Sequence, residues 1–173
     1  MSHNLGAGYA RHTLYSPEER HRRDASRWTV VQGVLAPVQF VIFLISLVLV
    51  LRFLATGAGL QLAIASIVLK TIALYAIMIT GSLWEKDVFG RYLFATAFFW
   101  EDVVSMLVLA LHSLYLFALL LGWLSDRGLM LLALAAYASY AVNATQFLLK
   151  LRAARLQKSS RPSPSCATTE AAL

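Results

Sequence analysis

Four long apolar runs constrain this chain more than any other feature: Trp28 to Leu51, Phe53 to Trp84 with an interruption at Lys70, Val103 to Ser125, and Gly128 to Leu149. About 20 apolar residues in a helix cross the roughly 30 Å hydrocarbon layer of a bilayer, where each backbone donor and acceptor must be paired within the segment. The runs therefore predict an all-α polytopic membrane protein, a bundle of four transmembrane helices with spans at about 29–53, 60–83, 97–122 and 128–151. A water-soluble fold does not suit a chain that is 59% hydrophobic with a mean hydropathy of +0.66, because ordinary soluble domains hold roughly 45–50% apolar residues. The first run is longer than a signal-peptide core of about 7–15 residues and no small-residue cleavage site follows it, so it is expected to remain as an anchor.

The flanks set orientation. Ser16-Pro17-Glu18-Glu19 reads as a helix start, with Ser16 as N-cap, Pro17 in the first turn and Glu19 closing a capping box. The Arg-rich turn that follows, up to Arg27 and the anchor Trp28, predicts a short interfacial helix. Residues 1–15 read as a disordered leader and 157–173, rich in Ser, Pro and Thr, as a disordered tail, leaving about 16–156 as the membrane domain. Arg11, Arg20, Arg22, Arg23 and Arg27 precede the first run, and Lys150, Arg152, Arg155, Lys158 and Arg161 lie at or beyond the end of the last. The central connection, Trp84 to Phe94, adds Lys86 and Arg91, whereas the other two connections offer Arg52 and Arg127. Positive charge collects in cytoplasmic loops, so both termini and the central connection are expected on the cytoplasmic side. Topology and anionic lipid headgroups explain the net charge of +6 without a nucleic-acid partner. The lone cysteine, Cys166, allows no internal disulfide and no cysteine metal cluster.

Polar residues inside the spans mark candidate function. Gln32 and Gln39, seven apart, share one face of the first span, and Pro37 between them is expected to kink it. Lys70 near mid-bilayer must face the bundle or snorkel, and its candidate partners are Glu101, Asp102 and the Tyr75 hydroxyl. Glu85, Lys86, Asp87 and Arg91 among Trp84, Phe89, Tyr92 and Phe94 are ordinary for a membrane interface. Phe98-Phe99-Trp100-Glu101-Asp102 exceeds that, since two adjacent acids follow three aromatics where the third span begins. The helix dipole accounts for part of this placement. His112 lies close to three turns beyond Glu101 on the same face, about 16 Å deeper, and reads either as a hydrogen-bonded interior residue or as a ligand contact. In the last span Ser139, Asn143, Gln146 and Lys150 form a polar stripe among small residues that permit tight packing.

The sequence contains no phosphate-binding glycine loop, dinucleotide fingerprint or HExxH pattern, which sets aside nucleotide-driven and metalloprotease chemistry. Acids and aromatics clustered at one interface suit a flat, apolar ligand whose edge can still meet water. Composition leads no further.

Several blocks taken together, SPEER with RRDAS, QGVLAPVQF, GSLWEKDVFGRYLFA, AFFWEDVVSMLVLALH and NATQFLLKLRAARLQ, resemble the bacteriochlorophyllide C-3 vinyl hydratase family of anoxygenic phototrophs. The likeness runs from Ser16 to Gln157. It implies a hydro-lyase that adds water to the C-3 vinyl group of a magnesium chlorin or bacteriochlorin, giving the 3-(1-hydroxyethyl) pigment of bacteriochlorophyll biosynthesis without a cofactor. It also implies a bacterial cytoplasmic or intracytoplasmic membrane, contact with lipid, and neighbouring enzymes of the same pathway.

Such a reaction needs a general acid, a group that positions water, and an environment that tolerates a developing cation. Glu101 and Asp102 are the first catalytic candidates, with Glu85 in reserve, although adjacent residues on a helix point about 100° apart. Lys86 and Arg91 lie at the depth where a substrate propionate could pair. Lys70, Asn143, Trp84, Phe99 and Trp100 are candidate substrate contacts. His112 is another, including as an axial contact to the substrate magnesium; no protein-held metal is expected. A pigment-holding protein without catalysis, or a small transporter using Lys70 and Glu101, remain the alternatives from other classes.

Overall fold

A computed structural model describes residues 15–159. Over them the chain forms five helices, α1 (Pro17–Ala25), α2 (Arg27–Thr56), α3 (Leu60–Phe89), α4 (Phe99–Leu121) and α5 (Asp126–Ser159), and no strand. By length and composition α2, α3, α4 and the Asp126–Lys150 part of α5 can each cross a membrane.

Local sequence explains where the helices begin and end. The capping box forms: Glu19 N–H donates to Ser16 Oγ at 3.1 Å, and Ser16 N–H donates to the Glu19 carboxylate at 2.7 Å. The Ser26 hydroxyl, at the junction of α1 and α2, donates to Asp87 Oδ2 at 2.9 Å and ties the amphipathic start of the chain to the end of α3. α2 continues as helix through Pro37 and stops at Gly57, whose left-handed backbone (φ 73°) closes the last turn with a bond from its N–H to Phe53 O.

Two boundaries differ from the sequence reading. α3 does not stop at the edge of its apolar run but continues to Phe89, so Glu85, Lys86 and Asp87 stand on a helix rather than in a connection. Charges do not end a helix in a headgroup layer that solvates them; the break comes at Gly90 (φ 76°), the first residue free to turn left-handed. α5 likewise passes Leu151 and runs to Ser159, which makes residues 157–159 of the expected tail helical, in keeping with the Lys, Arg, Ala and Leu content of that stretch. The rest of the expected leader and tail lies outside the described residues.

α2 pairs with α3, and α4 with α5, as antiparallel hairpins. The hairpins meet where α2 touches α5 and α3 touches α4. Phe43, Ile67, Leu74, Val108, Tyr115, Met130 and Tyr137 fill the seam. Large apolar side chains such as Val30, Val48, Leu62, Leu120 and Leu148 point outward, while Gln39, Ser46, Lys70, Thr71, Ser105, His112 and Asn143 are buried. This distribution fits lipid on the outside, where only hydrocarbon meets the surface and polar groups find partners within the bundle. Ser46, Ser66 and Tyr137 join α2, α3 and α5 through bonds of 2.7 and 2.5 Å from the Ser46 hydroxyl, and Gln32 of α2 donates to Thr80 of α3 at 2.7 Å.

Candidate active site

The α3–α4 connection is held by two carboxylates. Phe94 has a positive φ of 59°, a conformation that is costly for an aromatic residue. Its N–H donates to Asp102 Oδ2 at 2.7 Å, and the next N–H, from Ala95, donates to Glu85 Oε2 at 3.3 Å. Asp102 belongs to α4 and Glu85 to the last turns of α3, and their carboxylates are brought side by side by the two successive amides they accept from. Glu101, one residue and about 100° round the helix from Asp102, turns to α5 instead and pairs with Lys150 at 2.7 Å. All three acids are at most 8% exposed.

Aromatic rings surround this acid cluster on two sides. Phe98 is buried against Trp84, Phe89, Phe147 and Tyr15, and the Lys150 ammonium lies 4.6 Å from its centroid. Trp84 is half-buried and donates its indole N–H to the Thr29 hydroxyl. On the other side Phe94, Phe99 and Trp100 form a wall open to the surroundings, with neighbouring centroids 5.8 and 5.6 Å apart and Trp100 70% exposed. Lys86, near the end of α3, is exposed and pairs with the Tyr92 hydroxyl; Arg91 is exposed in the connection that follows.

Two further candidates lie deeper. His112 is ten residues along α4 from Asp102, about 15 Å at 1.5 Å per residue. Its Nδ1 meets Val108 O at 2.8 Å, and its ring lies 5.9 Å from that of Tyr137. Lys70 is wholly buried, but its expected partners are elsewhere: Tyr75 shares a bond with Ser113, Glu101 takes Lys150, and Asp102 takes the connection. The Lys70 ammonium instead lies over the Tyr140 ring, 3.7 Å from its centroid, an arrangement in which the ring face substitutes for a counter-charge. Asn143 donates to Ser105 at 2.8 Å between the two levels. Thus Glu85, Glu101 and Asp102 come together, flanked by Trp84, Phe99 and Trp100, whereas His112 and Lys70 form a separate group with Tyr137 and Tyr140.

Sequence reasoning passed over Lys150 as a partner, the Phe94 and Ala95 amides, and the tyrosines around Lys70. A signal for the first was present, because Lys150 ends the polar stripe of the last span at the depth where Glu101 begins the third.

Residues 15–153 match the family model described as 2-vinyl bacteriochlorophyllide hydratase. This chain belongs to that family. A 2-vinyl bacteriochlorophyllide hydratase of Rhodobacter capsulatus is 60% identical over 151 residues, covering 87% of this chain and 88% of the relative. One of Cereibacter sphaeroides is 62% identical over 144 residues, covering 83% and 89%. Among solved structures none matches. The hydratase-family region includes all of α1 to α4 and α5 as far as residue 153, and so contains the whole acid cluster and the deeper group.

Proposed function

We propose that this protein is a hydro-lyase that adds water across the vinyl group of a bacteriochlorophyllide, and that Glu85 and Asp102 together supply the proton. The family names the vinyl by its older ring position 2, which is position 3 in current numbering. Family membership supports the reaction; the meeting of two carboxyl groups from different helices, beside an open aromatic wall, carries the assignment of the acid.

Two carboxyl groups in contact away from bulk water are most stable with one proton between them. Hydration begins when that proton goes to the terminal CH2 of the vinyl. The positive charge then falls on the carbon attached to the ring, where the macrocycle delocalises it. Glu101, paired with Lys150 at 2.7 Å, lies beside the pair and stabilises the cation electrostatically. Water bonds to the cationic carbon and returns a proton to the carboxylate pair, so the product is the 1-hydroxyethyl group and the enzyme is regenerated. Phe94, Phe99 and Trp100 offer the flat pigment a face at the level of the acids, and the exposed Lys86 and Arg91 lie where a propionate can reach them. The basic flanks favour cytoplasmic termini, which puts the acid cluster on that side of the bacterial membrane.

The test uses membranes containing only this protein and a 3-vinyl bacteriochlorophyllide. Mass spectrometry should show the gain of one water. Pigment bound but unchanged would replace this reading with that of a pigment-holding protein.

A further inference from the structure

The middle of the bundle contains a second polar group that the acid cluster does not use. Lys70 Nζ, His112 Nε2, Tyr115 OH and Asn143 Oδ1 are all buried and have no hydrogen-bond partner among the described residues. Their residues are 0, 1, 0 and 8% exposed. They come from three helices: Lys70 from α3, His112 and Tyr115 from α4, and Asn143 from α5. They are also neighbours. Lys70 lies against the Tyr140 ring and His112 against the Tyr137 ring, both of those rings pack on Phe43, Tyr115 is one turn along α4 from His112, and Asn143 is one turn from Tyr140 on the same face of α5.

The donor and acceptor character of these atoms identifies what fits them. Lys70 offers only N–H donors, and the Tyr115 hydroxyl can both donate and accept. His112 Nδ1 points at a carbonyl, so Nδ1 carries the hydrogen and Nε2 is an acceptor; Asn143 Oδ1 is an acceptor as well. An anion would satisfy the lysine but be repelled by the two acceptors, and a cation would be repelled by the lysine. Water donates two hydrogen bonds and accepts two, and it satisfies both sets at once. We infer that Lys70, His112, Tyr115 and Asn143 line a site for bound water that extends from the His112 level to the Asn143 level within the membrane-spanning bundle.

The site has a use if the protein is a hydratase, and this part rests on that reading. Asn143, at the edge of the site nearest the acids, donates to Ser105, which stands three residues along α4 from Asp102, so the buried polar face leads from the water site toward the acids. Water held there can reach the acid cluster from inside the protein, without crossing lipid.

Hydroxyl-radical footprinting with short X-ray pulses marks side chains that touch bound water, even when bulk solvent cannot reach them. Applied to the full chain in its membrane, it should label His112, Tyr115 and Tyr140 faster than Met130, which is wholly buried among apolar neighbours although methionine is intrinsically the more reactive residue. In Lys70→Met, labelling of His112 and Tyr115 should drop while that of the exposed Tyr92 stays constant. Wild-type labelling no faster than at Met130 overturns the water site, and so does a folded Lys70→Met protein with unchanged labelling. If Lys70→Met does not fold, the wild-type comparison decides alone. Rapid labelling in a protein that leaves the vinyl pigment unhydrated would sink the hydratase role and leave the water site standing.

Discussion

Asp102 has two jobs in this structure, and Asp102→Asn separates them. Its Oδ2 accepts the Phe94 N–H at 2.7 Å and so holds a residue at φ 59°; its carboxyl group also faces Glu85. Asparagine keeps an acceptor oxygen of the same size in the same place but cannot transfer a proton. Exchanging a charge-assisted hydrogen bond for a neutral one should cost about 1 kcal/mol of stability. Asp102→Ala removes the acceptor altogether and leaves the part-buried Phe94 N–H without its partner on a strained residue, for about 1–3 kcal/mol. Activity should rank differently, because loss of a positioned acid lowers rate by roughly 10²–10⁴. The Asn variant should therefore unfold in denaturing detergent close to wild type yet convert vinyl pigment at least about a hundredfold more slowly. An Asn variant that keeps more than about a tenth of wild-type turnover would place Asp102 outside the chemistry and leave it as a clasp for the connection.

Other consequences can be measured separately. The Lys150–Glu101 pair is about one-tenth exposed on the acid side and one-quarter on the lysine side, so a double-mutant cycle with Lys150→Met and Glu101→Gln should give a coupling of about 1–3 kcal/mol in detergent unfolding, and a value near zero would show the pair to be incidental. Trp100→Ala should leave unfolding unchanged, since the ring is 70% exposed. It should raise the pigment concentration needed for half-maximal rate roughly tenfold through loss of a stacking face; an unaltered KM would remove the aromatic wall from binding. In deuterated water the product should carry one non-exchangeable deuterium in the new methyl group. Deuterium on the carbinol carbon would contradict protonation at the terminal vinyl carbon.

The long apolar runs revealed the four spans because lipid demands an uninterrupted hydrocarbon surface, and the capping box at Ser16 was legible because it is a bond pattern within one turn. The end of α3 was not, since the charges from Glu85 to Asp87 change solvation without breaking hydrogen bonds between turns, while the left-handed turn at Gly90 does. The acids were legible as a group by their odd placement beside Phe98, Phe99 and Trp100. Their pairing was not. Helical spacing gives the angle between Glu101 and Asp102, but which neighbour each one meets depends on how α4 is rotated against α3 and α5. The same rotation directs Lys70 to Tyr140 rather than to a carboxylate.

The clasp between Glu85 and Asp102 also ties the chemistry to the order of assembly. Glu85 arrives in the membrane with the α2–α3 hairpin and Asp102 with the α4–α5 hairpin. Either hairpin alone carries half of the acid pair. Only after the two dock, and the Phe94 turn is pinned, do the two carboxylates stand together. If the pair is the acid proposed above, a chain halted during insertion is chemically silent, and pigment meets the paired carboxyl groups only on a molecule that has finished folding.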